Sequence, residues 1–409
     1  MKRILSYGIS IDRNFGGPSL VLGLDAVLKE IYGENGYSLV HYQLNNPEEV
    51  NASSMPFPVK KLPYMGMQLI KSWFKYRVLR IAPRRLDEID FWDDFRQAEI
   101  VYNIYGICFC AKLNTGLTKQ KPFTGIRTAL SSFALNVIAK IEGKLSVKGA
   151  SSYGPIKSPL EKDAAKISAR FIFDRMLARE NESADQMRDI AGVRKRIPVA
   201  PDIANMMPVS SKWEEDGPVG ISVSFQIIKQ WDGDGNYQDM MVKLISYIHS
   251  ITGRDVVIFP NELKLGDEYD DDSVALEIYR KVGDASDWLS ICDTKRISGA
   301  ELKNLVSKCS VVVAARYHSC VAALSSGVPV LVLGWHCKYA ELLSLYGQES
   351  RMVSTRECTL EHLENLFVDM WIKRRSIHRL LVEKSIKVKT CVVDSEKYLL
   401  GMNDNYGIG

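Results

Sequence analysis

Short apolar, β-branched runs alternate along this chain with longer segments whose apolar residues recur at helical spacing. Such an alternation is typical of parallel α/β units, in which a helix covers the sheet between one strand and the next. The pattern therefore predicts doubly wound parallel sheets. The strands expected in the first half are Arg3–Ile9, Tyr37–Tyr42, Ile100–Ile104 and Arg175–Arg179.

The second half of the chain is more regular. Ser298 and Glu301 form a capping-box pattern, in which each side chain bonds the other residue's backbone N–H, and this predicts the start of a helix. Beyond Thr359 the pattern is helical nearly to Lys397. The strands expected here are Val219–Phe225, Asp255–Phe259, Trp288–Cys292, Ser310–Ala315 and Val328–Leu333.

A length of 409 residues exceeds what one hydrophobic core usually organises, so more than one domain is expected. The segment Met207–Gly217 mixes proline, serine and charged residues between two periodic regions, which is typical of a linker. The predicted division is an N-terminal α/β domain over 1–208, a C-terminal α/β domain over 218–356, and helices over 357–409 that pack back on the N-terminal domain.

Composition and charge exclude several classes of protein. A formal net charge of +4 is too small to predict binding to nucleic acid, so any anion site must be local. The eight cysteines form no CxxC pair, which removes support for a zinc ribbon and favours reduced thiols in a cytoplasmic protein. No apolar run approaches the roughly 20 residues that a membrane span needs. Peripheral contact with the inner face of a membrane remains open.

The strongest candidate site follows the predicted strand Ser310–Ala315. Arg316 and His318 come directly after this strand and begin a helix, where unpaired backbone N–H groups favour an anion. The guanidinium suits a carboxylate or a phosphate, and an imidazole exchanges protons near neutral pH. The alternative is structural: an arginine that satisfies loop carbonyls and a histidine that caps its own helix.

Three further positions extend this site. Lys338 follows the next strand and would bring a second cation, or it is an ordinary exposed lysine. Arg179 ends a strand in the first half, where it either contacts a ligand or forms a structural ion pair with Glu180. The loop after the first strand reads NFGGPS and opens a helix. Its Asn14, Gly16 and Gly17 form either a substrate loop or a plain glycine-rich turn.

Two acidic segments do not predict a metal site. The loop Asp232–Asn236 fails the calcium-loop pattern, because Tyr237 and Lys243 occupy the positions that need glycine and glutamate. The run Asp267–Asp272 packs like charges together, so we expect it to face solvent. No metal or resident cofactor is predicted.

The segment Lys71–Arg85 is basic and amphipathic. It carries six cations and no acidic residue, interleaved with aromatic and aliphatic side chains. Such a segment suits an anionic membrane surface or an acidic acceptor. The alternative is a surface helix that buries its aromatic face against the core.

Two stretches of the chain resemble a known family. The segment ARYHSCVAALSSGVPVLVLGWHCKYAELLSLYG looks like the C-terminal signature of polysaccharide pyruvyl transferases, and MLARENESADQMRDIAG followed by VAPDIA is similar to a segment of their first domain. The similarity spans roughly 177–347 and is specific at Arg316, His318, Gly327, Pro329 and Lys338. The NFGGPS loop departs from the family's more usual N.GD pattern.

The resemblance implies two Rossmann-like domains in an arrangement like that of GT-B glycosyltransferases. It also implies phosphoenolpyruvate as co-substrate, with Arg316, Arg179 and Lys338 around it and His318 as the acid. The acceptor would be a sugar of a surface glycan or of its lipid-linked precursor. A GT-B glycosyltransferase that uses a nucleotide sugar is the rival interpretation, and a non-catalytic anion-binding protein is the third. The acceptor sugar, the linkage and the oligomeric state are not predicted.

Overall fold

The computed structural model describes residues 1–12, 14–83, 85–109, 124–233, 235–263, 270–283, 287–293, 296–334, 336–356, 358–404 and 406. The chain divides into two compact units. Unit 1 comprises Met1–Ser10, Leu24–Ile203 and Cys391–Gly409, and unit 2 comprises Ile11–Gly23 and Ala204–Thr390.

Unit 1 is built on a parallel sheet with the order β3-β2-β1-β4-β6-β5, and β7 also pairs with β6. All its paired strands run parallel, as the sequence predicts. The strands are β1 (Lys2–Tyr7), β2 (Tyr37–Gln43), β3 (Val59–Lys61), β4 (Ile100–Asn103), β5 (Ile107–Cys108), β6 (Leu145–Tyr153) and β7 (Arg175–Ala178).

Strand β6 is the longest strand of this sheet and was not predicted from the sequence. Its segment LSVKGASSY lacks the apolar run that marks a buried strand. The polar side chains are nevertheless buried, because they bond to one another and to the backbone. The Lys148 ammonium donates to Ser151 Oγ at 2.6 Å and to the Tyr105 carbonyl.

Helices cover both faces of the unit 1 sheet. An apolar cluster around Phe91, Trp92 and Phe95 packs against Leu5 and Val101 of the sheet. The helices are α1 (Gly16–Tyr32, which begins in unit 2), α2 (Glu49–Ser53), α3 (Gly66–Trp73), α4 (Leu86–Gln97), α5 (Thr124–Ser132), α6 (Ala134–Ile141), α7 (Pro159–Ile167) and α8 (Asn181–Asp185). π-Helical turns at Phe74–Val78, Ser168–Ile172 and Gln186–Ile190 extend α3, α7 and α8.

Unit 2 contains the second parallel sheet, with the order β10-β9-β8-β11-β12-β13. The five predicted strands are present and β13 is additional. The strands are β8 (Val219–Ser222), β9 (Val256–Ile258), β10 (Leu289–Ile291), β11 (Val311–Ala314), β12 (Val330–Gly334) and β13 (Met352–Ser354). The helices are α9 (Phe225–Ile228), α10 (Tyr237–Thr252), α11 (Asp271–Val282), α12 (Gly299–Lys308), α13 (Tyr317–Ser325), α14 (Cys337–Leu345) and α15 (Leu360–Leu399).

The predicted capping box is confirmed at the start of α12. Ser298 Oγ accepts the Glu301 N–H at 3.3 Å, and the Glu301 carboxylate accepts the Ser298 N–H at 2.7 Å. No helix within the described ranges combines the length and the apolar composition needed to cross a bilayer.

The two units interleave along the chain more than the predicted ranges 1–208, 218–356 and 357–409 suggest. The chain passes from unit 1 to unit 2 between Ile203 and Ala204, and the early segment Ile11–Gly23 belongs to unit 2. That segment is tied there by backbone bonds, since the Phe15 N–H donates to the Asn261 carbonyl at 3.1 Å. Helix α15 runs through unit 2 as far as Thr390 and ends in unit 1.

The last turns of α15 bring a buried carboxyl group into unit 1. Glu396 is 1% exposed, and it accepts the Tyr102 hydroxyl at 2.9 Å on one oxygen and 3.1 Å on the other. Burial raises the pKa of Glu396 to about 8, although the hydrogen bond from Tyr102 opposes the shift. The native protein therefore holds a proton that the unfolded chain releases above about pH 4.3.

This carboxyl group predicts a pH-dependent stability. The native state binds the extra proton, so the free energy of unfolding should fall as the pH rises from about 4 to about 8. Glu396→Gln keeps an acceptor for Tyr102 and cannot ionise, so it should raise the thermal midpoint more at pH 8 than at pH 5. Glu383→Gln, at an exposed position of α15 paired with Lys387, is the control. Equal effects of Glu396→Gln at both pH values would contradict the prediction.

Candidate functional site

The candidate site lies at the carboxyl edge of the unit 2 sheet. The strand order reverses between β8 and β11, and open α/β sheets bind ligands in the crevice at such a point. Strand β11 ends at Ala314, and α13 begins three residues later with Arg316 as the residue that precedes it. The N-cap residue of α13, Arg316, makes no side-chain capping hydrogen bond, because arginine has only donors.

Arg316 is held by two carboxylates. Its Nε and Nη2 donate to the Asp271 carboxylate at 2.8 and 2.5 Å, and its Nη1 pairs with Glu262 at 2.7 Å. Burial acts to lower the pKa of Arg316, but the charge and hydrogen bonds of Asp271 together with the charge of Glu262 outweigh it, so the arginine pKa is raised. Arg316 is therefore a fixed cation, with the paired Asp271 wholly buried and Glu262 25% exposed.

The expectation that the acidic run faces solvent is wrong for Asp270, which is 8% exposed, and for the wholly buried Asp271. This carboxylate also accepts the backbone N–H groups of Phe225 at 2.9 Å and Glu262 at 2.9 Å. Neighbouring Asp270 caps α11 by accepting the Ser273 N–H at 2.8 Å. Asp267–Tyr269 lie outside the described residues. Within a run of like charges, the sequence does not distinguish the capping residue Asp270 or the buried acceptor Asp271 from exposed carboxylates. The spacing of Asp270 from Ser273 is the one local signal of a helix start.

His318 lies on the first turn of α13, directly against the NFGGPS loop. A Cβ placed on Gly16 would overlap the imidazole, 2.7 Å from its Cε1 atom. Asn14 shapes the loop, since its Oδ1 accepts the Gly16 N–H at 2.8 Å and its carbonyl accepts the Gly17 N–H at 3.0 Å. The backbones of Asn14 and Glu262 also form an isolated antiparallel β-bridge. The structure thus brings the predicted loop, His318 and the Arg316 network together in unit 2.

Three residues that the sequence did not single out are bonded together at this turn of α13. Ser319 Oγ accepts a hydrogen bond from the Asn261 side chain and another from Ser222 at 2.8 Å. The Phe15 N–H donates to the Asn261 carbonyl at 3.1 Å, so Asn261 connects the loop to the helix. No local sequence pattern marks a buried serine or asparagine of this kind.

Lys338 lies on α14 and faces the aromatic side chains near α13. Its Nζ is 5.5 Å from the centroid of the Tyr317 ring and 5.6 Å from that of Tyr339, within cation–π range. His336 precedes α14 as its cap, and its Nδ1 accepts the Lys338 N–H at 3.3 Å. The Lys338 side chain is half-buried and packs on Tyr317, the residue between Arg316 and His318.

Arg179 lies in unit 1 and forms a buried ion-pair cluster. Its Nε donates to Glu180 at 2.9 Å, its Nη1 to Asp202 at 2.7 Å and its Nη2 to Ser152 at 2.6 Å. The side chain is 3% exposed. This is the structural ion pair that the sequence left as an alternative, and it occupies all three guanidinium nitrogens.

A family model for polysaccharide pyruvyl transferases matches residues 14–336. The chain belongs to this family. The match begins at Asn14 and includes Arg179, Arg316 and His318, whereas Lys338 follows its end. A comparison with curated proteins found no match.

Solved structures confirm the predicted class, an α/β fold with two Rossmann-like units of the GT-B type. A Staphylococcus aureus MnaA–UDP structure aligns over 99% of this chain and 98% of its own at a TM-score of 0.58 and 12% identity. The structure of a UDP-N-acetylglucosamine 2-epimerase from Listeria monocytogenes, described as putative, aligns over 99% of this chain and 98% of its own, with a TM-score of 0.56 and 11% identity. A glycosyltransferase from Rickettsia africae aligns over 98% of this chain and 100% of its own, with a TM-score of 0.55 and 8% identity. At these identities the likeness concerns the fold alone.

The buried carboxylate of Asp271 predicts a large stability effect. Asp271→Asn removes the charge that compensates Arg316, and breaking a buried pair typically costs about 3–5 kcal/mol. We expect urea unfolding to show a loss of about 3 kcal/mol, since Glu262 still faces Arg316. Glu277→Gln on the exposed face of α11 is the matched control and should change stability by less than about 1 kcal/mol. A similar small loss for Asp271→Asn would show that the pair is dispensable.

Proposed function

We propose that this polysaccharide pyruvyl transferase moves the pyruvyl group of phosphoenolpyruvate onto two hydroxyls of a glycan and so forms a cyclic ketal. The observation that carries the proposal is the gathering of Arg316, His318 and Lys338 at the first turn of α13. The positive end of a helix disfavours nearby cations. Asp271 and Glu262 already offset the charge of Arg316 here. An anion that replaced Glu262 would keep that charge balanced, and phosphoenolpyruvate carries both a carboxylate and a phosphate.

Arg316 has one side that suits an exchangeable partner. Asp271 is buried and bonds both Nε and Nη2, so it fixes the orientation of the guanidinium. Glu262 meets Nη1 at 2.7 Å and is partly exposed. An anionic substrate would compete with Glu262 and leave Asp271 in place. The arginine would then present a pre-positioned donor, with no need to build its orientation on binding.

The reaction assigns a proton-transfer role to His318. One sugar hydroxyl attacks C2 of phosphoenolpyruvate, the methylene carbon gains a proton and becomes the methyl group, and phosphate leaves C2. The second hydroxyl then closes the ketal. The two hydroxyl protons end on the methyl group and on the phosphate, so the atoms balance. His318 supplies the proton at the carbon or at the departing phosphate.

Arg179 enters the proposal as a positioning residue. The resemblance implies a contact with phosphoenolpyruvate, but its three nitrogens are bonded to Glu180, Asp202 and Ser152 in unit 1. A residue bonded in this way holds the carboxyl ends of β6 and β7 together. A ligand contact would require it to exchange one of these buried partners.

The segment Gly66–Ile81 supports a further part of the proposal, contact with an anionic membrane that carries a lipid-linked acceptor. The helix is shorter than the predicted basic stretch and ends at Val78, and Arg84 lies outside the described residues. Its two faces differ. Trp73 and Tyr76 pack against the core cluster of unit 1, as the alternative interpretation expects.

The outer face of the same segment is apolar and basic. Four large apolar side chains are between 46% and 55% exposed, namely Phe74, Val78, Leu79 and Ile81. Within the described residues, Lys71, Lys75 and Arg80 form no ion pair, whereas Arg77 pairs with Glu142. Exposed apolar side chains among uncompensated cations match the chemistry of an interfacial segment.

The donor assignment is tested by ligand-induced stabilisation. Phosphoenolpyruvate at about 100 times its Kd should add about 2.7 kcal/mol, which raises the thermal midpoint by several degrees. Lys338→Ala should weaken this response without exposing a buried charge. UDP-N-acetylglucosamine is titrated in parallel. Stabilisation by the nucleotide sugar alone would replace the pyruvyl donor with a glycosyl donor.

His318→Ala should lower turnover by at least about 100-fold while leaving the fold intact, as expected for loss of a proton-transfer group. The assay is phosphate release from phosphoenolpyruvate with lipid-linked glycans as acceptor. Gly16→Ala should also reduce turnover, because the new methyl group must displace the imidazole. His362→Ala, at an exposed position of α15, should have no effect. Near-normal turnover of His318→Ala would remove His318 from the mechanism.

The membrane contact is tested by co-sedimentation with vesicles. The protein should bind vesicles of phosphatidylcholine with about 30% phosphatidylglycerol at least tenfold more tightly than vesicles of phosphatidylcholine alone. Added salt should weaken this binding. Replacing Phe74, Val78, Leu79 and Ile81 by serine should abolish binding. Ile372→Ser with Ile386→Ser removes comparably exposed side chains from α15 as a control. If the variant with all four serine substitutions binds vesicles as well as the unchanged protein does, the proposed membrane contact is wrong.

A further inference from the structure

Unit 1 contains a cavity of about 690 Å³ at the carboxyl ends of its central strands. Tyr7, Gln43 and Asn103, the last residues of β1, β2 and β4, all line it. The strand order reverses between β1 and β4, so the cavity lies at the switch point of this sheet. Its volume is within the range of about 300–1,000 Å³ that is usual for small-molecule sites.

The walls of the cavity are mainly hydrocarbon. The large apolar side chains among the lining residues are Ile9, Leu44, Leu62, Met65, Met67, Leu69, Phe109, Phe133, Leu135 and Leu160. The small side chains of Ala129, Ala134 and Ala164, on α5, α6 and α7, also line the cavity. A surface of this kind gains free energy by removing apolar atoms of a ligand from water.

Several of the polar lining side chains are already bonded within the protein. The Tyr7 hydroxyl donates to Asn136 at 2.5 Å, and the Tyr42 hydroxyl donates to Asp94 at 2.7 Å. Glu161 accepts the backbone N–H of Ser158 at 2.9 Å, as part of the capping box of α7. A sugar would need hydrogen bonds for its hydroxyls, and these three groups are committed elsewhere.

The rim of the cavity combines apolar side chains with the exposed polar side chains of Asn45, Gln68 and Ser132. Leu44 is 50% exposed and Met65 is 56% exposed, and both line the cavity. Met65 immediately precedes α3, whose continuation carries the exposed apolar side chains of the Gly66–Ile81 segment. A chain entering the cavity from a bilayer would therefore meet apolar side chains at the entrance.

We infer that this cavity binds the hydrocarbon chain of a lipid-linked acceptor. That the bound lipid is an acceptor rests on the proposed function. Binding of its hydrocarbon chain does not, since it needs neither phosphoenolpyruvate nor turnover. One isoprenoid or aliphatic chain is the occupant that the apolar walls and the position beside the amphipathic segment favour. The glycan head then remains outside the cavity.

The test is a calorimetric titration of the full-length protein with geranyl phosphate and farnesyl phosphate, each below its aggregation limit. Chain burial predicts at least a tenfold tighter Kd for the farnesyl compound, since each buried methylene contributes about 0.8 kcal/mol. Inorganic phosphate should not bind at the same concentration. Equal affinity for the two chain lengths, or binding of phosphate alone, would overturn the inference.

Two variants locate the chain. Thr128→Phe places a ring in the cavity from a half-buried position of α5 and should weaken farnesyl phosphate at least tenfold. Met67→Gln, at the rim, should weaken it by a smaller factor without disturbing the fold. Ile126→Phe alters an exposed residue of the same helix that does not line the cavity and should bind normally. Equal binding by Thr128→Phe and Ile126→Phe would place the chain elsewhere.

The phosphoenolpyruvate titration on the same samples separates the two ideas. Stabilisation by phosphoenolpyruvate without farnesyl phosphate binding would leave the proposed function standing and contradict the cavity. Farnesyl phosphate binding that responds to Thr128→Phe, without any effect of phosphoenolpyruvate, would support the cavity and contradict the donor assignment.

Discussion

The carboxyl edge of unit 2 depends on one buried ion pair, Arg316 with Asp271. The Asp271 carboxylate receives hydrogen bonds from the guanidinium and from backbone N–H groups that follow β8 and β9. One side chain therefore joins the starts of α9, α11 and α13. Desolvating such a pair is costly, and the number of bonds that converge on the carboxylate offsets the cost. The site can be rigid before any ligand arrives because this anion is already supplied by the protein.

Unit 1 also contains a buried arginine paired with carboxylates, but its partners are more deeply buried. Arg179 is surrounded by Glu180, Asp202 and Ser152, with its side chain 3% exposed. Arg316 is 16% exposed and one of its two carboxylate partners is 25% exposed. An exchangeable partner is what allows a guanidinium to bind substrate, so the two arginines are not equivalent although the sequence pattern places both at strand ends. Burial of the partners, which the sequence does not display, is what distinguishes the two arginines.

Sequence reasoning worked where hydrophobic periodicity is local. The strands of unit 2, the Ser298 cap and the placement of Arg316 and His318 after β11 all follow from short apolar runs and their boundaries. It failed at β6 and Asp271, because both are polar and buried, and their hydrogen-bond partners lie elsewhere in the chain. The membership of Ile11–Gly23 in unit 2 was missed for the same reason: its partner Asn261 is about 250 residues away.

The N-terminus of α13 differs from its neighbours in a way that constrains function. Within the described part of unit 2, α9 to α12 and α14 begin with a side chain that accepts a backbone N–H, and the last two of these caps are Ser298 and His336. Helix α13 begins with Arg316, which has no acceptor to offer. The positive end of the helix dipole disfavours this cation, and the negative charges of Asp271 and Glu262 offset that cost. An anion that displaced the partly exposed Glu262 would keep the charge of Arg316 balanced, and the carboxylate or phosphate of phosphoenolpyruvate has that chemistry.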